Sequence, residues 1–188
     1  MKELVFLLEE KSAADLLVSL WPRLVPPESD IAPKFIFFKG KQDLENELPR
    51  KIRVYQNPEA RFLIMRDQDS GDCFIIKKSL TDLCQANVRG RPFRVRIICR
   101  ELENWYLAQM PALEKAFNKT GLASLQNKSR YRNPDHLNGA PQELARLTGH
   151  APGKRAWART IGPCLDLGDE RSPSFKHFVA AVRQLCAD

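Results

Sequence analysis

Three short stretches of this sequence put carboxylates where an ion could be held. They are Glu9 and Glu10, Asp67 and Asp69, and Glu101 and Glu103. Each pair follows an apolar run, at residues 4–8, 62–65 and 95–98, that reads as a buried strand. Along an extended chain residues i and i+2 lie on the same side, so Asp67 and Asp69 are expected to face one locus. Crowded carboxylates repel one another and raise their own pKa values. A divalent cation relieves that repulsion. Magnesium takes hard oxygen ligands and prefers one or two carboxylates beside waters and phosphate oxygens. Against this stands a plainer use of acids after strands, as turn formers and helix caps. Ser70 and Asp72 fit that use.

Other chemistries lack their residues. No glycine-rich dinucleotide or P-loop pattern is present, and no GxSxG elbow. His136, His150 and His177 are far apart and read as structural or surface residues. The five cysteines form no CxxC, which argues against a disulfide framework or a zinc ribbon. Cys84 and Cys99 lie in apolar stretches and read as small core residues.

The elements that must carry the acids follow from periodicity. Strands are expected at residues 2–8, 35–38, 61–66 and 93–99. Helices are expected from Ser12, read as an N-cap with Asp15 in the capping-box place, to about residue 21, where Pro22 closes the unit. A second helix spans residues 42–53, interrupted near Pro49. A third covers residues 73–86, with Ile76, Leu80, Leu83 and Cys84 at helical spacing. Alternating strands and helices with short joins predict an α/β fold with a mostly parallel sheet covered on both faces. Ligands of such sheets sit beyond the carboxyl ends of the strands, where the acids fall.

Residues 111–188 read as a helical and loop-rich extension. Helices are expected at 111–117, 141–147 and 174–185, with a basic stretch at 151–158. Trp105, Tyr106, Phe175 and Phe178 read as core rather than as platforms for bases. The chain is expected to be a single domain over residues 1–188, with its sheet and helices in residues 1–110.

At 188 residues, 43% hydrophobic and 28% charged, the composition is that of a globular protein. No apolar run is long enough to span a bilayer, and no export signal is read, so the cytoplasm is the expected compartment. The formal charge of +7 favours an anionic partner, nucleic acid first. Arginines concentrate at Arg89, Arg91, Arg94 and Arg96.

Several segments together resemble the DUF4276 family. They are LVFLLEEKSAADLL at residues 4–17, GKQDLENELPRKIR at 40–53, MRDQDSGDC at 65–73 and ELENWYLA at 101–108. LQNKSRYRNPD at 125–135 and SPSFKHFVAAVRQL at 172–185 extend the likeness over nearly the whole chain. The family is similar to a divergent branch of the Toprim superfamily, the fold of topoisomerases, bacterial primases and OLD-type nucleases. The resemblance implies a Toprim-like Rossmannoid with a helical C-terminal extension. It implies magnesium or manganese held by Glu9, Asp67 and Asp69. Glu10 stands where the Toprim pattern has glycine, so Glu9 and Glu10 remain alternatives. Gln68 replaces a frequent asparagine.

The resemblance also implies an activity: metal-dependent phosphodiester hydrolysis on nucleic acid, in phage defence or DNA processing. Glu101 or Glu103 would help hold a second ion or orient water, since paired metals stabilise attacking and leaving oxygens together. Lys128, Arg130 and Lys154 are candidates for the substrate phosphate. An AAA-type ATPase is an implied partner, and no membrane is. The alternative is a non-catalytic Toprim-like protein that binds an ATPase or nucleic acid.

Overall fold

The computed structural model describes residues 1–151 and 153–187. Strands β1 (Lys2–Leu8), β2 (Ile31–Phe37), β3 (Ala60–Asp67) and β4 (Phe93–Ile98) form one sheet in the order β2-β1-β3-β4. Every neighbouring pair is parallel. All four strands therefore end on the same side of the sheet. Parallel neighbours need crossovers, supplied by α1 (Lys11–Leu24), α2 (Lys41–Val54) and α3 (Cys73–Gln85).

The central strands β1 and β3 are buried on both faces, which explains their unbroken apolar runs. Alternate side chains feed two cores. Val5, Leu7, Phe62 and Ile64 pack with Leu44, Leu48 and Ile52 of α2 and Leu80 of α3. Leu4, Phe6, Leu8, Leu63 and Met65 pack with α1 and with the remaining helices. Those are α4 (Leu102–Leu107), α5 (Met110–Phe117), α6 (Ala140–Thr148), α7 (Lys154–Ile161) and α8 (Pro173–Ala187). Trp105 stacks on Phe178 and meets the edge of Phe175 inside this second core, in keeping with its reading as a core residue. Between α5 and α6 the chain runs through three short 3-10 turns. Among the described residues no helix is long and apolar enough to cross a membrane.

Several expected boundaries shift. Pro22 does not close α1, and Pro49 does not interrupt α2; both lie inside their helices. A proline there removes one helical hydrogen bond. In α1 the burial of Leu24 and the bonds from the Arg23 guanidinium to the carbonyls of Gly162 and Leu165 hold the last turn in place. Ser12 is not the N-cap: α1 starts at Lys11, and the Ser12 hydroxyl donates to Glu10. Asp15 pairs with Arg155 and Arg159 of α7 instead of closing a capping box. β2 begins at Ile31, four residues before the aromatic run suggested. Asp72 caps α3 as expected, accepting from the amides of Phe74 and Ile75. In the basic stretch 151–158, Pro152 lies outside the described residues.

Candidate functional site

The strand ends bring the expected acids to one side of the molecule. Glu9 follows β1, and its Oε2 accepts from the backbone amide of Asp67 at 3.3 Å. Asp67 is the last residue of β3 and is buried. Burial, with Glu10, Glu103 and Glu9 nearby, pushes its carboxyl well above the usual range, with Lys154 opposing. Glu9 is pushed up for similar reasons, chiefly burial and then the charge of Asp69. A cavity of about 10 Å³, near the room one water needs, is lined by Glu9, Glu10 and Asp67.

Asp69 does not continue the strand. Its φ is 53°, a left-handed conformation that aspartate tolerates better than most residues. Strand alternation therefore ends before it, and the expectation that Asp67 and Asp69 face one locus as an extended pair is corrected. The Asp69 carboxylate is 41% exposed and pairs with Lys41 of α2 at 3.0 Å. Its amide donates to the Arg100 carbonyl, and Arg100 returns a bond from its guanidinium to the Asp69 carbonyl. This ties the turn after β3 to the end of β4.

The α4 helix separates the two remaining acids. Glu101 sits at the N-cap, where its amide donates to Oδ1 of Asn104. Its carboxyl is raised by burial first and by Asp69 and Glu10 after it, with Lys154 opposing. Glu103 lies inside the helix and is 0% exposed. Neither of its carboxylate oxygens has a hydrogen-bond partner. Burial pushes it up to about 7, with Lys154 pulling the other way. Tyr106, one turn on, is also fully buried, and its hydroxyl has no partner. A buried carboxyl in this state costs several kcal/mol, on the order of the desolvation of one ion. Native structures satisfy such groups with hydrogen bonds or ions.

Lys154 completes the group from α7. Its ammonium reaches both oxygens of Glu10, at 3.0 and 3.1 Å. Its own burial lowers its pKa, but the hydrogen bond to Glu10 and the charges of Glu103, Glu10 and Asp67 outweigh this and raise it to about 12. Of the three cations considered for phosphate, Lys154 is the one at the acids. Arg130 is held by Glu143 at 2.9 Å, and Lys128 is exposed on a 3-10 turn region. Among the described residues no three His, Cys, Asp or Glu side chains converge closely enough to hold an ion. The donor chemistry suits magnesium: hard oxygens, an excess of negative charge and a buried carboxylate lacking a partner. In this geometry the ammonium of Lys154 lies among the same acids.

Sequence reasoning missed Tyr106 as a polar member of this group, because an aromatic on an apolar helix face reads as core. It also missed Glu143. That buried acid accepts from Arg146, Arg130 and Tyr131, and these contacts hold it down to about 2. Its i,i+3 spacing to Arg146 on α6 is the local signal for it, whereas Arg130 and Tyr131 lie on a separate turn.

A wholly parallel sheet with helices on both faces and a helical C-terminal extension makes this an α/β Rossmannoid fold, consistent with the Toprim-like kind. The family described as "Domain of unknown function (DUF4276)" matches residues 9–183, and the chain belongs to it. Among solved structures the chain is similar to the C-terminal region of the Burkholderia pseudomallei OLD protein. The two are 14% identical, with 97% of each chain covered and a TM-score of 0.53. That likeness concerns the fold. Comparison with curated proteins gives no match.

Proposed function

We propose that this protein is a metal-dependent phosphodiesterase acting on nucleic acid, a nuclease of Toprim type. The observation that carries the reading is Glu103: a fully buried carboxyl with no hydrogen-bond partner, beside Asp67, at the carboxyl ends of parallel strands. Asp67 and Glu9 would hold magnesium or manganese from the strand ends, with the acids drawn closer than they stand here. Asp69 would leave Lys41 to approach from the turn, and Glu103 with Glu101 would supply oxygens from α4. The ion provides Lewis-acid stabilisation of charge on phosphate oxygens. Lys154 neutralises substrate phosphate once it leaves Glu10. Contacts of that kind position a strand without reading its bases.

A second reading has its own observation. Lys154 already neutralises Glu10 among these acids, as a residual Toprim-like centre in a non-catalytic partner of an ATPase or of nucleic acid also would. Two measurements separate the readings. Calorimetry with manganese reports on the ion, and cleavage of labelled DNA and RNA in manganese, magnesium or chelator reports on the chemistry. The nuclease reading expects binding, and cleavage that falls about a hundredfold or more in Asp67→Asn and Glu103→Gln while both stay folded. Folded protein that takes up neither ion and cuts neither polymer would overturn it in favour of the partner role.

A further inference from the structure

The outer edge of β4 carries a concentration of cations that the acidic centre does not use. β4 pairs only with β3, so its other edge is open. Lys77 of α3, with Arg91, Arg94 and Arg96, lines a groove of about 590 Å³ along this edge. No acid lines that groove. Among the described residues none of these four cations forms an ion pair with a carboxylate, although thirteen ion pairs occur elsewhere.

The groove does not stop there. Lys77, Val95 and Arg96 also border a second cavity of about 310 Å³. That cavity shares Cys73, Phe74 and Cys99 with a third of about 400 Å³, which reaches Gln68 and Arg100. Arg100 binds the Asp69 carbonyl. The three cavities thus form one track from the start of β4 to the turn that bears Asp69. Asp135 is the one acid bordering the second and third cavities, and it is bound to Ser172 and to the amide of Ser174. Phe74 stands beside the track at 79% exposure, the most exposed large hydrophobic residue among those described.

We infer that this edge is a binding track for single-stranded nucleic acid, with Lys77, Arg94 and Arg96 on the phosphates and Phe74 as a stacking surface for a base. Arg91 is committed to three backbone carbonyls, and Arg94 and Arg96 also donate to Gln184 and to the His177 carbonyl of α8, yet none of these neutral partners cancels a charge. Cations without carboxylates beside an exposed aromatic are what a single strand requires, since every base offers a face and every nucleotide a charge. A six-residue strand spans about 20 Å, long enough for several nucleotides. Addition of a protein strand is disfavoured here. The Arg94 and Arg96 guanidiniums fold back onto the carbonyls of Phe93 and Val95, and charge on an edge strand blocks pairing. Arg96 is partly buried beside Arg94, and both burial and that neighbour hold its pKa down, the condition a bound anion relieves.

The direction of travel toward Asp69 rests on the acidic group being the reacting centre; the binding does not. The test therefore uses full-length protein with chelator present, so that no cleavage occurs. Fluorescence anisotropy of a labelled oligothymidylate at low salt gives the affinity. The expectation is binding that weakens steeply with salt and falls by about tenfold or more in Lys77→Glu and Arg96→Glu. Phe74→Ala is expected to lose about fivefold or more at unchanged salt slope. Lys77 is exposed on α3, so its reversal keeps the test valid if Arg96→Glu unfolds. Lys78→Glu, whose native lysine pairs with Asp82 on the same helix, is expected to change affinity little. No binding, equal losses in Lys78→Glu and Lys77→Glu, or equal affinity for duplex DNA would each overturn the track. Loss of the track with manganese uptake intact would count against this inference alone; binding intact without manganese uptake would count against the nuclease reading alone.

Discussion

Two buried glutamates in this molecule live under opposite conditions. Glu143 of α6 accepts from two arginines and a tyrosine, and those contacts hold its pKa down to about 2. Glu103 of α4 accepts from no other residue and is pushed up to about 7. Both are buried, so burial alone does not decide the outcome. The difference lies in compensation. Around Glu143 cations outnumber carboxylates, and the site is a finished structural knot. Around Glu103 the acids Asp67, Glu10 and Glu101 share one lysine, and Glu9 has Arg66 nearby. A site left short of positive charge is destabilising by itself and gains from any cation that enters.

This contrast can be broken most directly by pH. In metal-free buffer Glu103 has a folded pKa of about 7 against an ordinary value of 4.5. Its stability contribution is full below pH 4.5 and is lost as pH rises through 7. The loss approaches about 3 kcal/mol. Glu103→Gln is expected to remove most of this alkaline limb from a plot of thermal midpoint against pH. An unchanged limb would show that Glu103 already has a partner in solution.

Manganese should have a slightly smaller effect. At a hundredfold excess over its dissociation constant, an ion held by the folded state alone adds about 2.7 kcal/mol. For a chain of this size that is about 8 °C. Glu143→Gln is expected to keep this shift, and Asp67→Asn or Glu103→Gln to lose it. A shift that survives both changes at the strand ends would move the ion elsewhere.

Glu143 gives the mirror-image profile. Its depressed pKa means that its contribution is present above pH 4.5 and is lost as pH falls toward 2. Glu143→Gln is expected to cost about 2 kcal/mol in urea unfolding at neutral pH and to flatten the acid limb. If it costs nothing, the knot is ornamental and the contrast fails. The smallest effect belongs to an exposed pair used as a reference. Lys78→Ala, which removes the i,i+4 partner of Asp82, should stay within about 0.5 kcal/mol.

The framework is legible in the sequence because parallel strands are buried on both faces and their apolar runs are continuous. β1 and β3 fall where the runs are, each ending in acids. The edge strand β2 reads short, because only its first residue is fully buried and its first half carries a proline and a lysine. Local sequence misleads at Pro22 and Pro49, where contacts distant in sequence override a breaker. The acids are legible as a set and illegible in their roles. A DxD pattern does not reveal that Asp69 turns left-handed and leaves the strand, nor that Lys41 meets it. Glu101 and Glu103 look equivalent in ELEN, yet one caps a helix and the other is sealed inside it. Their separation depends on where α4 begins, a boundary that local sequence marks poorly.

Lys154 reaches Glu10 across 144 positions of chain, carried by a helix that Arg155 and Arg159 fasten to Asp15. Protein synthesis delivers Glu9, Asp67 and Glu103 long before that lysine leaves the ribosome. The strand order can form early, with Arg66 already beside Glu9 and Lys41 beside Asp69. Glu10 and Glu103 wait for α7, so the charge balance at the strand ends is completed late.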